Sequence, residues 1–518
     1  MLNPHRFRLA AVGLVVLVAC PIHAAETPDA SEKVVNYEAF GAVGDGKADD
    51  LPAIRDAHAH ANRHGLPVRS KPGATYHLGR RAITAIISTD TDWGTSRFII
   101  DDSAAVEDHR KALFEVRSAL KPLPLKITRL KCGQTRLDAG VSSECLVYVE
   151  NRNRRIFIRR GLNRNDGSVQ KEVFILRQDG SIEGAIDWDY ETVTRVEALP
   201  IDHETLFIRG GIFTNVANRM RQEDRQSGYW GRNLVIRRSK TVVDGVTHRV
   251  TGETDRGQPY EGFLNASRCA RVMFRNCVID GRKVYQKIGN AGKPVAMGTY
   301  GFTANLCVDF RMVGCRNGND IFDRSRWGVI GTNFMKNILL EDCMLSRMDV
   351  HQGVSGSYVI RGTTLGHAGL NAIGRGSLIV ENSTLHGHHL IYFRDDYGST
   401  WDGTVTIRNC RWIPPGGRTN RPEMFGMRND GTHDFGYPCA MPRVIRIDGL
   451  TIDDSGRTDG YQGIAYFGDP LGSQHDKRPF PYRLTERLEV SGLKIASGIK
   501  PGVSGNSELA KAVTLVEK

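Results

Sequence analysis

What this chain lacks narrows its reading first. No internal apolar run is long enough to span a bilayer, so the body reads as a soluble folded protein, in keeping with 40% hydrophobic and 25% charged residues. There is no Cys-x-x-Cys, and no His-x-His pair with a second half elsewhere, so the ligand spacing of a structural zinc site is absent. Of 10 cysteines, Cys20 falls in a leader-like N-terminal segment, and the odd number left excludes a disulfide framework as the main support. Cys132 and Cys145, in an irregular region, are the only pair the sequence suggests.

What is present is a repeat. From Leu206 onward one phrase returns: alternating apolar residues, then Asn, Asp or Gly, then a small residue or Cys, then an apolar residue. LFIRGGIF, VMFRNCVI, ILLEDCML, YVIRGTTL, LIVENSTL, VTIRNCRW and VIRIDGLTI are copies. Each has the period-two alternation of a strand and a bend-forming residue near its end. Copies about twenty to forty residues apart imply a solenoid, in which one coil buries its apolar face only by stacking on the next. Cys277, Cys315, Cys343 and Cys410 all occupy the small-residue slot, which predicts a ladder of buried thiols.

The first residues have the layout of an export signal: Arg6 and Arg8, an apolar run from Leu9 to Cys20, then Ala24 and Ala25. Residues 1–25 are read as a signal peptide, and the mature chain as secreted or periplasmic. Leu17-Val18-Ala19-Cys20 also resembles a lipobox, which would anchor an outer-membrane lipoprotein through Cys20; Pro21 is an awkward successor and favours free export without a membrane partner. The net charge of +12 points to an anionic partner. Nucleic acid fits poorly with export, whereas acidic polysaccharide fits well.

After the leader come a strand, a Gly-rich turn holding Gly41, Gly44 and Gly46, then Asp49 and Asp50 as helix-start residues with Pro52 just inside an Ala-rich helix. This stretch resembles the N-terminal cap of the right-handed parallel β-helix proteins of the pectate-lyase-like superfamily, which includes polysaccharide lyases, polygalacturonase-type hydrolases, alginate epimerases and phage tailspikes. The resemblance implies an all-β, single-stranded right-handed parallel β-helix with a cap helix that plugs the open end of the stack. Asp45, Asp49 and Asp50 are then structural. The expected layout is a cap over 35–70, irregular β-rich early coils or an insertion over 71–200, regular coils with active-site loops over 201–500, and a tail over 501–518.

In a stack of coils, residues at equal offsets form columns about 4.8 Å apart. Leu345, Leu365 and Leu385 are evenly spaced, which predicts the columns Arg347/His367/Gly387, Asp349/Gly369/His389 and His351/Asn371/Ile391. Arg347, Asp349 and His351 alternate, so they share a strand face. Around them crowd His367, His386, His388, His389, Arg394, Asp395 and Asp396, and the preceding coil adds Asp320, Asp323 and Arg324. Solenoid interiors take apolar or small polar residues, so this cluster is expected to face outward and to be the site.

Two chemistries fit the cluster. Proton abstraction beside a uronate carboxylate needs a base near neutrality and cations to offset the enolate charge: His351 as base, Asp349 to hold its tautomer, Arg347 or Arg394 to pair with the uronate, with His389 nearby. Asp349-Val350-His351 is similar to the Asp-Pro-His motif of mannuronan epimerases and departs from it at Val350. The rival is glycoside hydrolysis by two carboxylates, drawn from Asp320, Asp323, Asp349, Asp395 and Asp396. The Gly-His-Gly and Arg-Ile-Lys motifs of polygalacturonases are missing, as is a clear carboxylate array of calcium pectate lyases. Substrate contacts are expected from His367, Asn371, His388, Arg324, Arg394, Asp395 and Asp396, with Tyr397 and Trp401 as sugar platforms on the loop after His389. Tyr229, Trp230 and Trp327 could add further platforms. The expectation is thus an exported enzyme degrading an acidic polysaccharide, by elimination ahead of hydrolysis. C5-epimerisation and a non-catalytic polysaccharide-binding solenoid are the alternatives. No cofactor is expected, with Ca²⁺ on loop carboxylates left open.

Overall fold

The fold follows from what the repeat phrase does at each bend. In the computed structural model, which describes residues 34–159, 166–220, 229–288, 294–297, 300–326, 329–417, 419–429, 431, 433–470 and 479–518, the strands stack in parallel into one 29-stranded sheet wound around a single core. The signal-peptide reading, Cys20 and Trp327 lie outside the described residues. Gly245, Asn276, Gly314, Asp342, Gly362, Asn382, Asn409 and Gly449 all adopt left-handed backbone with φ between 49° and 73°. Gly, Asn and Asp are the residues that enter this region most readily. The repeat's Asn/Asp/Gly slot is therefore the corner between two faces of the coil, and the residue after it turns inward. Cys277, Cys315, Cys343 and Cys410 are buried there as free thiols, each pointing at a carbonyl of the coil before.

Each coil supplies three faces. The first includes Thr241–Asp244, Met273–Arg275 and Val308–Val313; the second includes Thr247–Thr251, Val278–Ile279 and Arg316–Asn317. The third includes Phe114–Val116, Leu234–Ile236, Leu264–Ser267, Tyr300–Asn305, Ile391–Phe393 and Glu423–Gly426. Longer strands such as Met344–Arg361 run round the corners from face to face. On the third face the outward column passes from Glu115 through Val235, Asn265, Thr303 and Gly331 to Asp349.

The segment expected to be irregular over 71–200 is two different things. Thr75–Leu78, Ala85–Ile87, Thr91–Asp101 and Phe114–Val116 already belong to the stack. Residues 118–203 then leave it as an inserted subdomain, with an antiparallel four-stranded sheet that includes Cys145–Ile156 and Ser168–Leu176 and has its own apolar core. This subdomain leans along the corner between the third and first faces. Lys336 of the solenoid, almost fully buried, meets Glu172 at 3.2 Å and Asp187 at 3.1 Å there, and Gln352 hydrogen-bonds Ser168. Cys132 is exposed and Cys145 buried, and both are free, so the suggested pair is not formed. At the other end Thr514–Glu517 pairs with Arg487–Ser491, so the stack continues into the expected tail.

The cap helix, Leu51–His64, covers the first coil. Asp50 stands at its N-terminus but does not cap it: the buried carboxylate accepts instead from the amides of Val43, at 2.6 Å, and His77, at 3.3 Å. Beneath the helix, Trp93 Nε1 donates to the Tyr37 hydroxyl at 2.8 Å, which lies 2.9 Å from His58 Nε2. Burial pushes the His58 pKa from 6.5 down to about 3, so the native state refuses a proton that the unfolded chain accepts below 6.5. His58 therefore stabilises fully above 6.5 and loses its contribution as pH falls toward 3. Thermal unfolding of Tyr37→Phe is expected to show a loss of about 1–3 kcal/mol, because the Trp93 donor and the His58 acceptor lose their partner. His58→Gln should flatten the acid decline in melting temperature; an unchanged decline would show that the cap histidine does not drive it.

Candidate active site

Arg347, Asp349 and His351 project outward from the third face while Met348 and Val350 point into the core. Leu345, Leu365 and Leu385 stack as expected, but beyond them the register slips by two residues: Arg347 pairs with Gly369 and Met348 with Leu370. The extra residues at 366–368 bulge outward at the corner. His367 and His389 are consequently not in the columns of Arg347 and Asp349. Asn371 instead stands beside Asp349, donating from Nδ2 to Oδ1 at 2.8 Å, and Tyr392 follows Asn371.

Although it faces away from the solenoid interior, the cluster is not a solvated face. Asp349 is 0% exposed, and its carboxylate is enclosed by Arg347, by His351 Nε2 at 3.0 Å and by Arg394 Nη1 at 2.8 Å. Burial alone would raise the Asp349 pKa; Arg347, His351 and Arg394 override it and hold the carboxyl well below the carboxylate range. His351 is pushed the other way. Burial lowers its pKa below 6.5, the two guanidiniums add to this, and Asp349 opposes it, so the ring is neutral at neutral pH.

A residue absent from the sequence reading completes the set. The Tyr300 hydroxyl lies 3.0 Å from His351 Nε2, and its ring crosses the imidazole edge-on. Gly331 makes room for it, since a Cβ there would sit 2.8 Å from the Tyr300 ring. Burial raises the Tyr300 hydroxyl pKa well above its ordinary value, with Tyr229 and Asp349 adding to the effect and Arg347 and Arg394 opposing it. Nothing near Tyr300 in the chain marks it; only the stacking brings a residue 51 positions away onto the histidine.

The segment after His389 differs from the expected sugar-binding loop. Asp396 takes a paired hydrogen bond from Arg394 at 2.7 and 3.0 Å, and a second guanidinium, Arg159 of the insertion, at 2.5 Å. Tyr397 is buried under Arg394 and Arg159, and its carbonyl accepts from Tyr437 at 2.7 Å. Trp401 is fully buried against Gly374 in the adjoining strand, with Nε1 donating to the Gly376 and Thr404 carbonyls at 3.2 Å. Neither ring is a platform for sugar: both are needed to close the corner of the coil. Trp230 is buried too. Asp320 and Asp323 spend their carboxylates on their own turn, accepting from the amides of Phe322 and Ser325 at 2.9 Å, and no contact among the described residues joins them to Asp349. Arg324 is exposed on that turn.

Beside Asn371 opens a cavity of about 340 Å³ lined by His367, His388, His389, Tyr392, Asp395 and Glu423, among others. His389 Nδ1 lies 3.0 Å from the Glu423 carbonyl, its ring over Gly426, where a Cβ would collide at 2.5 Å. Tyr392 donates to Asp395. Burial raises the pKa of Glu423, another residue the sequence reading did not single out. Among the described residues no group of three or more His, Cys, Asp or Glu side chains converges as a metal site.

No family model matches the chain. Over 94 residues it is 34% identical to a KL64-specific capsule depolymerase of Klebsiella phage P510, a match spanning 16% of this chain and only 9% of that protein. Among solved structures it resembles the tailspike of Pseudomonas phage phi297, with a TM-score of 0.52 and 14% identity over 93% of this chain and 83% of that one. The tailspike of Acinetobacter baumannii bacteriophage AP22, solved with a capsular saccharide, aligns at a TM-score of 0.48 with 10% identity, over 93% and 79% of the two chains. By fold this chain is a right-handed parallel β-helix protein.

The electrostatics of the cluster can be read directly from His351. In an NMR titration its ring should protonate below 6.5. Asp349→Asn should move the midpoint lower and Arg394→Gln should move it higher, because the carboxylate supports the imidazolium and the guanidinium opposes it. A midpoint unmoved by both changes would mean that neither charge acts on the ring.

Proposed function

We propose that this chain cleaves an acidic polysaccharide by β-elimination, with His351 and Tyr300 as the proton-transfer pair. The observation that carries the reading is the placement of His351, whose Nε2 lies 3.0 Å from both the Tyr300 hydroxyl and the Asp349 carboxylate, between Arg347 and Arg394. His351 takes the proton beside the uronate carboxylate. The C–H electrons form the new carbon–carbon double bond, the glycosidic C–O bond breaks, and the leaving oxygen receives the Tyr300 proton. Tyr300 is then reprotonated from His351, so the cycle closes on protons alone and needs no cofactor. Arg347 and Arg394 would offset the charge that spreads onto the substrate carboxylate. The overlap with a capsule depolymerase and the leader-like residues 1–25 support an exported protein acting on an extracellular polymer.

A second reading, hydrolysis, has one observation in its favour. Asp349 is held too firmly ionised to serve as an acid, but Glu423 has a raised pKa and lines the same cavity as Asp395. Glu423, whose proton burial favours, would serve as the acid, and Asp395, which accepts from Tyr392, as the base.

The two readings separate on a panel of acidic polysaccharides. Elimination gives an ultraviolet-absorbing unsaturated product; hydrolysis gives new reducing ends without it. His351→Ala and Tyr300→Phe are each expected to lower turnover about 10²–10⁴-fold while the melting temperature is kept, and Asp349→Asn should also abolish activity. The wild-type kcat/KM should decline on the acid side only below 6.5, where His351 protonates and can no longer accept. Reducing ends without absorbance, lost in Glu423→Gln and kept in His351→Ala, would overturn elimination.

A further inference from the structure

The third face carries a second cavity, of about 550 Å³, well before the Asp349 cluster. Its floor is the outward column of the early coils, Ile86, Glu115, Val235 and Asn265, the same column that reaches Asp349. Four strand spacings separate Val235 from Asp349, roughly 19 Å at about 4.8 Å each. A single sugar does not cover that distance, but a polymer chain lying along the face does.

The rim of this cavity is cationic. Arg55, Arg110, Lys111, Arg117 and Arg237 line it against the acids Asp108, Glu115 and Glu261. The acids are already engaged: Glu115 with Arg117 at 2.8 Å and Arg237 at 3.5 Å, Asp108 with the Arg110 amide at 2.9 Å, and Glu261 with Asn265 at 3.2 Å. Arg110 and Lys111 are exposed, and among the described residues their side chains make no hydrogen bond or ion pair. Two exposed, uncommitted cations at a concave site on the face of the candidate active site are what an anionic ligand would pair with.

We infer that this cavity is a remote subsite for the acidic polysaccharide, in which Arg110 and Lys111 hold carboxylate- or sulfate-bearing sugars of a chain whose other end lies at His351. The inference rests on the reading of the substrate as an acidic polysaccharide, but not on the reaction performed at His351. A subsite this far off would act on long chains and leave short ones unaffected.

The test is affinity electrophoresis of the full chain through gels containing long-chain alginate or polygalacturonate, at low salt, with short oligomers of each as competitors. Wild type and His351→Ala should be retarded equally by at least one polymer. Arg110→Glu combined with Lys111→Glu should bind it roughly tenfold more weakly, with an unchanged melting temperature. If the wild type cleaves the polymer, the same double variant should show a raised KM for long chains and an unaltered kcat for short ones. Equal retardation of the double variant and wild type would overturn the subsite, as would absence of retardation by every polymer. Equal retardation by double-stranded DNA would replace it with a general polyanion surface. Retardation lost in the double variant, without any cleavage by the wild type, would leave the subsite standing and remove the lyase reading.

Discussion

A carboxylate with no exposed surface has to be neutralised where it sits, and Asp349 organises its surroundings around that requirement. Removing an ion from water costs several kcal/mol even after relaxation, so the fold must bring compensating groups to it. They come from three adjacent coils: Arg347 and His351 from its own strand, Asn371 from the next, and Arg394 from the one after. Arg394 is itself fixed by Asp396, and Asp396 by Arg159 of the insertion. One buried charge thus ties the stacking register of the central coils to the docking of a subdomain encoded two hundred residues earlier. The same charge limits the chemistry at the site, because a carboxylate held ionised by two guanidiniums can orient a neighbouring imidazole but cannot supply a proton.

The insertion has a use beyond its own stability. An open third face would leave His351 in water, where its pKa would rise toward the ordinary value and the Coulomb interactions with Arg347 and Arg394 would be screened. The insertion leans along one side of the face, with Gln352 bonded to Ser168 and Lys336 buried against Glu172 and Asp187. Burying Lys336 among two carboxylates is an expensive way to dock a subdomain, and it favours one seating over any slid along the stack, since a slide leaves those charges unpaired.

The sequence makes the solenoid legible because its constraint is local. The left-handed corner inside the phrase is taken by Gly, Asn or Asp, which enter that backbone most readily, and the residue after it is buried, so the phrase repeats wherever this corner repeats. The leucine column at 345, 365 and 385 is readable for the same reason, and it sets the face on which Asp349 and His351 fall. Columns farther along the strand were not readable. Equal spacing in sequence becomes equal position in space only if no corner bulges, and 366–368 bulges by two residues. That slip moves His367 and His389 out of the Asp349 column and brings Asn371 in. Tyr397 and Trp401 misled for a different cause: aromatic residues next to charges suit a sugar platform and a solenoid corner equally well, and burial, which decides between them, has no local signature.

Tyr300 lies at the far end of this range. Its partnership with His351 depends on a glycine, Gly331, in the strand between them, so that the ring can lie across the outward face where the neighbouring column positions, Thr303 and Asp349, carry side chains. Neither residue is informative alone, and neither belongs to the repeat phrase. What connects them is the parallel stacking of three strands, Tyr300–Asn305, Val329–Glu341 and Met344–Arg361, with the smallest side chain in the middle one. A periodic scaffold therefore discloses its architecture through the positions that repeat, and its chemistry through the positions where the repeat is broken by a bulge, an insertion or a missing side chain. In this chain all three breaks meet around His351.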